Sequence, residues 1–181
     1  MTAAELRKNR TNTNFDKHVL TEVKTDEVYI IKLAKPDTRC GAITFINSND
    51  ILAVTGDYGN WIFCREFHPS AEGYVSDGYW CEKLQIASTQ KPTDFDADET
   101  RKEIEEMLQE EDLDEEDKEY LGDLLEHLYD GEERYLVYAH DHLPPNRDHE
   151  YVPVQKKLNP WLEVIFDAFD EVCRRKALEV K

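Results

Sequence analysis

Apolar positions along the chain follow two different periods. Between residues 28 and 64 they come in short runs rich in β-branched and aromatic side chains, at 28–33, 42–46, 51–54 and 61–64. Runs of this length, bounded by turn-forming residues, predict strands. Asn47-Ser48-Asn49-Asp50 parts the second run from the third as a hairpin turn would. Gly56-Asp57-Tyr58-Gly59-Asn60 parts the third from the fourth, with glycines free to take positive φ. The pattern predicts an antiparallel sheet of three or four strands.

Beyond the sheet the period lengthens. Ser76 or Asp77 is placed to cap a helix carrying Tyr79, Trp80, Lys83 and Leu84. Ile104, Met107 and Leu108 fall at i, i+3 and i+4. Tyr120, Leu121, Leu124, Leu125 and Leu128 repeat at helical spacing, and Asp112-Leu113-Asp114 forms a break and N-cap between the two runs. Two antiparallel helices sealed by these residues would keep their carboxylates outside. After Gly131, residues 135–138 read as a short strand returning to the sheet. Asn159 and Pro160 then open a last helix, as cap and first helical residue, with Trp161, Ile165, Phe169 and Val172 as its buried stripe. Arg174, Arg175 and Lys176 complement the dipole at its C-terminal end. The stretch up to about Asn14 reads as a frayed arm, helix-prone only at 3–8. The fold class expected is α+β: a small antiparallel sheet packed by helices, with an acidic helical-hairpin insertion and a C-terminal helix. The chain reads as a single domain in three parts, 1–93, 94–133 and 134–181.

Composition changes this picture in one respect. A length of 181 residues, 40% of them hydrophobic, with three Trp, nine Tyr and seven Phe, supplies an ordinary core. The formal net charge of −18 is not ordinary. Residues 94–133 hold 20 acidic side chains against Arg101, Lys102 and Lys118, a net of −17, while the flanking parts are close to neutral. The imbalance is one segment. Such a segment would repel nucleic acid and attract a basic partner. A helix of about 16 residues is roughly 24 Å long, and a duplex of that length carries roughly 14 phosphates. The charge on two such helices is of the same order. No apolar run is long enough to span a bilayer, and the polar start lacks the apolar segment of a secretion signal. Cys40, Cys64, Cys81 and Cys173 are widely spaced, with no CxxC, which favours reduced thiols in a cytoplasmic setting.

Candidate chemistry is sparse. Asp94, Asp96, Asp98 and Glu105 match four positions of a calcium loop, but Glu99 stands where the sharp turn requires glycine. Cys64, His68 and Cys81, with Cys40, could ligate zinc, though their spacing lacks the close pairs of structural sites. His140, His142 and His149 could gather on a loop, although histidines near prolines are more often solvent-facing. A Cys64–His68 thiol–imidazole pair has no marked oxyanion hole or third orienting group. No glycine-rich phosphate loop is present. The expectation is a protein without enzymatic activity, cofactor or metal, the alternative being a metal-binding protein or enzyme organised by Cys64, His68 and Cys81.

The turn Gly56-Asp57-Tyr58-Gly59-Asn60-Trp61, continuing through Cys64, His68 and Pro69 to Tyr79-Trp80-Cys81, resembles a small-protein family of phages and mobile elements of Firmicutes. That family includes an anti-CRISPR inhibitor of the type II-A effector, an RNA-guided DNA nuclease. The resemblance covers roughly residues 40–90, and the acidic region and last helix match more loosely. It implies a phage protein at work in the bacterial cytoplasm, whose partner is a basic nucleic-acid-binding host protein, above all that nuclease. Such nucleases hold nucleic acid in positive channels and read a short PAM with arginines. Block of DNA recognition or cleavage by acidic mimicry would follow, with no direct nucleic-acid binding and no membrane. Inhibition of another nucleic-acid-binding host protein is the alternative partner reading. Candidate contacts are Glu110, Glu111, Asp112, Asp114, Glu115, Glu116, Asp117, Glu119 and Asp123. Asp57, Tyr58 and Asn60 offer a competing surface at the turn.

Overall fold

The computed structural model describes residues 13–69, 75–87, 91–110 and 112–179. The helix-prone stretch at 3–8 and the candidate contact Glu111 lie outside them. The architecture is α+β, and the chain divides into two compact units, residues 1–92 with 158–181, and residues 93–157. The acidic segment expected at 94–133 therefore belongs to a longer unit with a core of its own.

In the first unit six strands form an antiparallel meander: β1 (Val19–Lys24), β2 (Tyr29–Ala34), β3 (Ile43–Ser48), β4 (Ile51–Gly56), β5 (Trp61–Phe63) and β6 (Leu84–Ala87). The four apolar runs supply β2 to β5. The sheet is wider than expected because β1 and β6 are edge strands with few buried side chains, which leaves them without an apolar signature. The β3–β4 hairpin turns on Asn49 and Asp50 alone, both at positive φ (51° and 63°), while Asn47 and Ser48 remain in the strand. Asn47 is buried, and its Oδ1 accepts the Phe67 N–H at 2.6 Å. Helix α1 (Asp77–Lys83) is capped by Ser76, which accepts the Tyr79 N–H, and it buries Trp80.

One face of the sheet is covered by the last helix, α5 (Pro160–Glu179). Phe169 lies against Phe45, Phe63, Phe67, Trp80 and Phe166 with ring centroids 4.7–6.2 Å apart. The buried stripe of α5 is Leu162, Ile165, Phe166, Phe169 and Val172, and the expected member Trp161 is 44% exposed. Asn159 Oδ1 accepts the Trp161 N–H at 2.9 Å, which fixes the first turn with Leu162 facing inward. At the other end Arg175 donates to the carbonyls of Phe15 and His18, strapping the N-terminal segment to α5.

The second unit holds α2 (Ala97–Met107), α3 (Glu115–His127), a 3-10 turn (Leu128–Asp130), α4 (Glu132–Asp141) and a second 3-10 turn (His149–Tyr151). Strands β7 (Thr93–Phe95) and β8 (Lys156–Leu158) pair at its two ends. Its core is Ile104, Leu113, Tyr120, Leu121, Leu124, Leu128, Tyr135, Ala139 and Val152. The strand expected at 135–138 is a helical turn of α4. In a strand Tyr135 and Val137 would share a face, but Tyr135 is fully buried while Val137 is 57% exposed. Burial at helical spacing, with Glu132 and Glu133 favouring the N-terminal dipole, overrides the strand preference of this aromatic run.

Gly56 sits at φ 147°, and a Cβ there would lie 2.0 Å from the Ala42 carbonyl oxygen. Gly56→Ala is expected to destabilise the protein by roughly 1–3 kcal/mol from backbone strain alone, with the clash adding to it. Urea denaturation monitored by tryptophan fluorescence checks this, and an unchanged midpoint would contradict the close approach.

Candidate functional site

Helix α3 carries six of the acidic side chains of the second unit. Asp114 caps the helix by accepting the Asp117 N–H at 2.8 Å, and Glu115, Glu116 and Asp117 occupy the first turn, where the dipole favours negative charge. Asp117, Tyr120, Leu121, Leu124 and then Leu128 face the core. Glu116, Glu119, Asp123 and Glu126, at i, i+3, i+7 and i+10, are all exposed and form a row along the outer face. Asp123 accepts a hydrogen bond from the Tyr138 hydroxyl at 3.0 Å. The cations of the two acidic helices are already engaged: Lys102 with Glu99, Lys118 with Glu115, and Arg101 over the ring of Tyr129. Counted over residues 93–157, 23 acidic side chains face seven basic ones.

The candidate contacts separate on this helix. Glu110, Asp112, Asp114, Glu115, Glu116, Glu119 and Asp123 are exposed, though Asp114 is committed to the cap and Glu115 to Lys118. Asp117 is not a surface residue. It is fully buried, and Arg147 donates to it through Nε at 3.0 Å and through Nη2. The guanidinium also lies 4.5 Å from the centroid of the Tyr151 ring. The hydrogen bond from Arg147 lowers the Asp117 carboxyl from its ordinary value, against the opposing effect of burial. The expectation that all carboxylates stay outside fails here, because an acidic residue at a core-facing position can be buried when a cation accompanies it. Glu126 was not among the expected contacts, although its spacing from Asp123 places it in the same row.

The remaining candidates have local roles. Asp96 caps α2 by accepting the Glu99 N–H, and Asp98 accepts the Tyr129 hydroxyl, so two calcium-loop positions serve the helix instead. At the turn, Asp57 accepts the Gly41 N–H and the Tyr58 carbonyl accepts Trp61 Nε1–H at 2.8 Å, while Trp61 and Phe63 are core. Asp57 and Asn60 are exposed and Tyr58 half-buried. His68 pairs with Glu66 at 3.1 Å, and Cys64 Sγ lies 3.5 Å from Gln85 Nε2. Burial, and then the Asp77 carboxylate, push the Cys81 thiol up, away from the thiolate that a nucleophile or zinc ligand requires. Among the described residues no three His, Cys, Asp or Glu side chains stand where they could share one metal ion. His140 and His149 do come together, whereas His142 turns to the Tyr138 carbonyl and stacks on the Tyr138 ring. A hollow of about 370 Å³ in the first unit has the opposite charge, lined by Lys32, Lys35 and Arg39 beside Asp37. Among the described residues no helix is long and apolar enough to cross a membrane.

Comparison with protein-family models, with characterised proteins and with solved structures returns no match.

The Asp117–Arg147 pair makes stability depend on pH with a definite sign. A carboxyl whose folded pKa is depressed contributes stability above its unfolded value, and that contribution is lost as pH falls through the folded value. Arg147→Met leaves Asp117 buried and unpaired, and should lower the melting temperature at neutral pH by roughly 4–8 °C or more. The gap to wild type should narrow in acid, where the unpaired carboxyl takes up a proton. Calorimetry across pH 4–8 would expose the error if the gap stayed constant.

Proposed function

We propose that the protein is a stoichiometric, non-enzymatic inhibitor that presents the outer face of α3 to a basic nucleic-acid channel. The resemblance at residues 40–90 points to the type II-A RNA-guided DNA nuclease as the owner of that channel. The observation that carries the reading is the row Glu116, Glu119, Asp123 and Glu126, exposed along one helix face with no cation paired to it among the described residues. Ten residues of helix span roughly 15 Å, so the row places four charges where one strand of duplex, at about 3.4 Å per phosphate, places four or five. Carboxylates on a packed helix are held in position, which costs less on binding than ordering a loose acidic tail would. Neighbouring like charges cost a few tenths of a kcal/mol per pair on the free helix. A basic partner relieves that repulsion and releases its own counterions. The site of action is then the bacterial cytoplasm, where the nuclease works, and the contact is protein to protein.

The test is the quadruple variant E116K/E119K/D123K/E126K, mixed with guide-loaded nuclease and a PAM-containing duplex. The wild type should compete with the duplex and lose affinity steeply as salt rises past physiological strength. The variant should bind at least about a hundredfold more weakly, as expected for loss of several close charge pairs, while its circular dichroism and melting stay those of a folded protein. A folded variant that still inhibits fully would remove α3 as the blocking surface. A wild-type protein that never competes with the duplex would remove the nuclease as the partner.

A further inference from the structure

His140, in the last turn of α4, and His149, at the start of the second 3-10 turn, bring their Nδ1 atoms to 3.2 Å with the rings at 76°. Both side chains are exposed. We propose that this pair is a two-histidine site for a first-row transition-metal ion, open to a further ligand. Two imidazole nitrogens bound at 2.0–2.1 Å stand roughly 2.9–3.4 Å apart as the angle at the metal opens from 90° to tetrahedral. The observed separation of 3.2 Å falls inside that window.

The supports of the two rings are independent of the metal. His140 rides on a regular helix, whose C-terminal end favours a cation. His149 succeeds Asp148, whose Oδ1 accepts the Glu150 N–H at 3.0 Å, and it lies two residues beyond Arg147, pinned to the buried Asp117. The backbone that carries each ring is therefore held by the unit itself. In the metal-free pair the short contact is a hydrogen bond, with one Nδ1 donating and the other accepting. Metal binding replaces that proton by moving it to Nε2 of the same ring, so both Nδ1 lone pairs face the ion. The acidic surroundings raise the local concentration of any cation, but carboxylate prefers hard ions, whereas imidazole selects zinc, nickel or copper. Two protein ligands leave the other coordination positions to water or to a donor group on a bound partner.

Calorimetric titration of the full chain with Ni²⁺ alone tests the site. One equivalent should bind in the micromolar range, unaffected by excess Ca²⁺. His140→Ala and His149→Ala should each weaken it by about tenfold or more, a loss of about 1.4 kcal/mol or above. His142→Ala, which removes a third imidazole of the same region, should leave it unchanged. Nitrogen-detected NMR of the wild type should show the Nδ1 resonances of His140 and His149 shifting on addition of the metal. Absence of Ni²⁺ binding overturns the proposal, as does undiminished affinity in either the His140 or the His149 variant.

Discussion

The chain depends on a closure between residues far apart in sequence. Phe169 completes the aromatic core over Phe45, Phe63, Phe67 and Trp80, yet all of residues 93–157 intervene before it can do so. The Asn159 N–H donates to the Pro92 carbonyl at 2.9 Å, so the sheet unit resumes where it left off. Closing a loop of that length costs little more than closing one half as long, since the entropy grows only with the logarithm of its length. Closure does require that the intervening residues bring their own ends together. The β7–β8 pair and the Asp96–Gln155 backbone hydrogen bond do this.

The second unit reconciles an extreme charge with a packed interior. Its core uses aliphatic side chains and two tyrosines whose hydroxyls are satisfied by carbonyls, Tyr120 to Ala139 and Tyr135 to Pro153. Burial pushes the Tyr120 hydroxyl up to about 12, so it stays a neutral donor. Among the described residues Asp117 is the one fully buried carboxylate, and it sits inside because Arg147 accompanies it. Repulsion among the exposed carboxylates weakens α2 and α3 as isolated helices, and tertiary packing of their apolar faces offsets it. A sequence under selection for stability alone would have interspersed lysines on those faces. The persistence of one sign along Glu116, Glu119, Asp123 and Glu126 is the property that separates this helix from an ordinary solvated one.

Much of this was legible in the sequence where a single period governs. The alternation in β2 to β5, the Asp114 cap, the Asn159–Pro160 start and the apolar seam of α3 all arise from local rules. Illegible features were those decided by distant partners. β1 and β6 bury too little to show a pattern. Residues 135–138 look like a strand until Leu128 and Tyr120 are known to lie beside them. Asp117 reads as one more surface carboxylate because its cation is 30 residues away. The meeting of His140 with His149 likewise required the loop between them to be placed. At the glycine-rich turn, by contrast, Gly56 answers to its close approach to Ala42, and the Tyr58 carbonyl is taken up by the Trp61 indole.

The buried carboxylate also acts as an index mark for rotation. A helix surrounded by leucines can slip about its axis at modest cost, since one aliphatic side chain substitutes for another in the interior. A charged group with a single partner cannot. Asp117 admits one rotational setting of α3, and that setting points Glu116, Glu119, Asp123 and Glu126 outward together. Inserting or deleting one residue within the helix would rotate every later side chain by about 100°. The azimuth of the acidic row is therefore set from inside the unit, by a carboxylate buried beneath it.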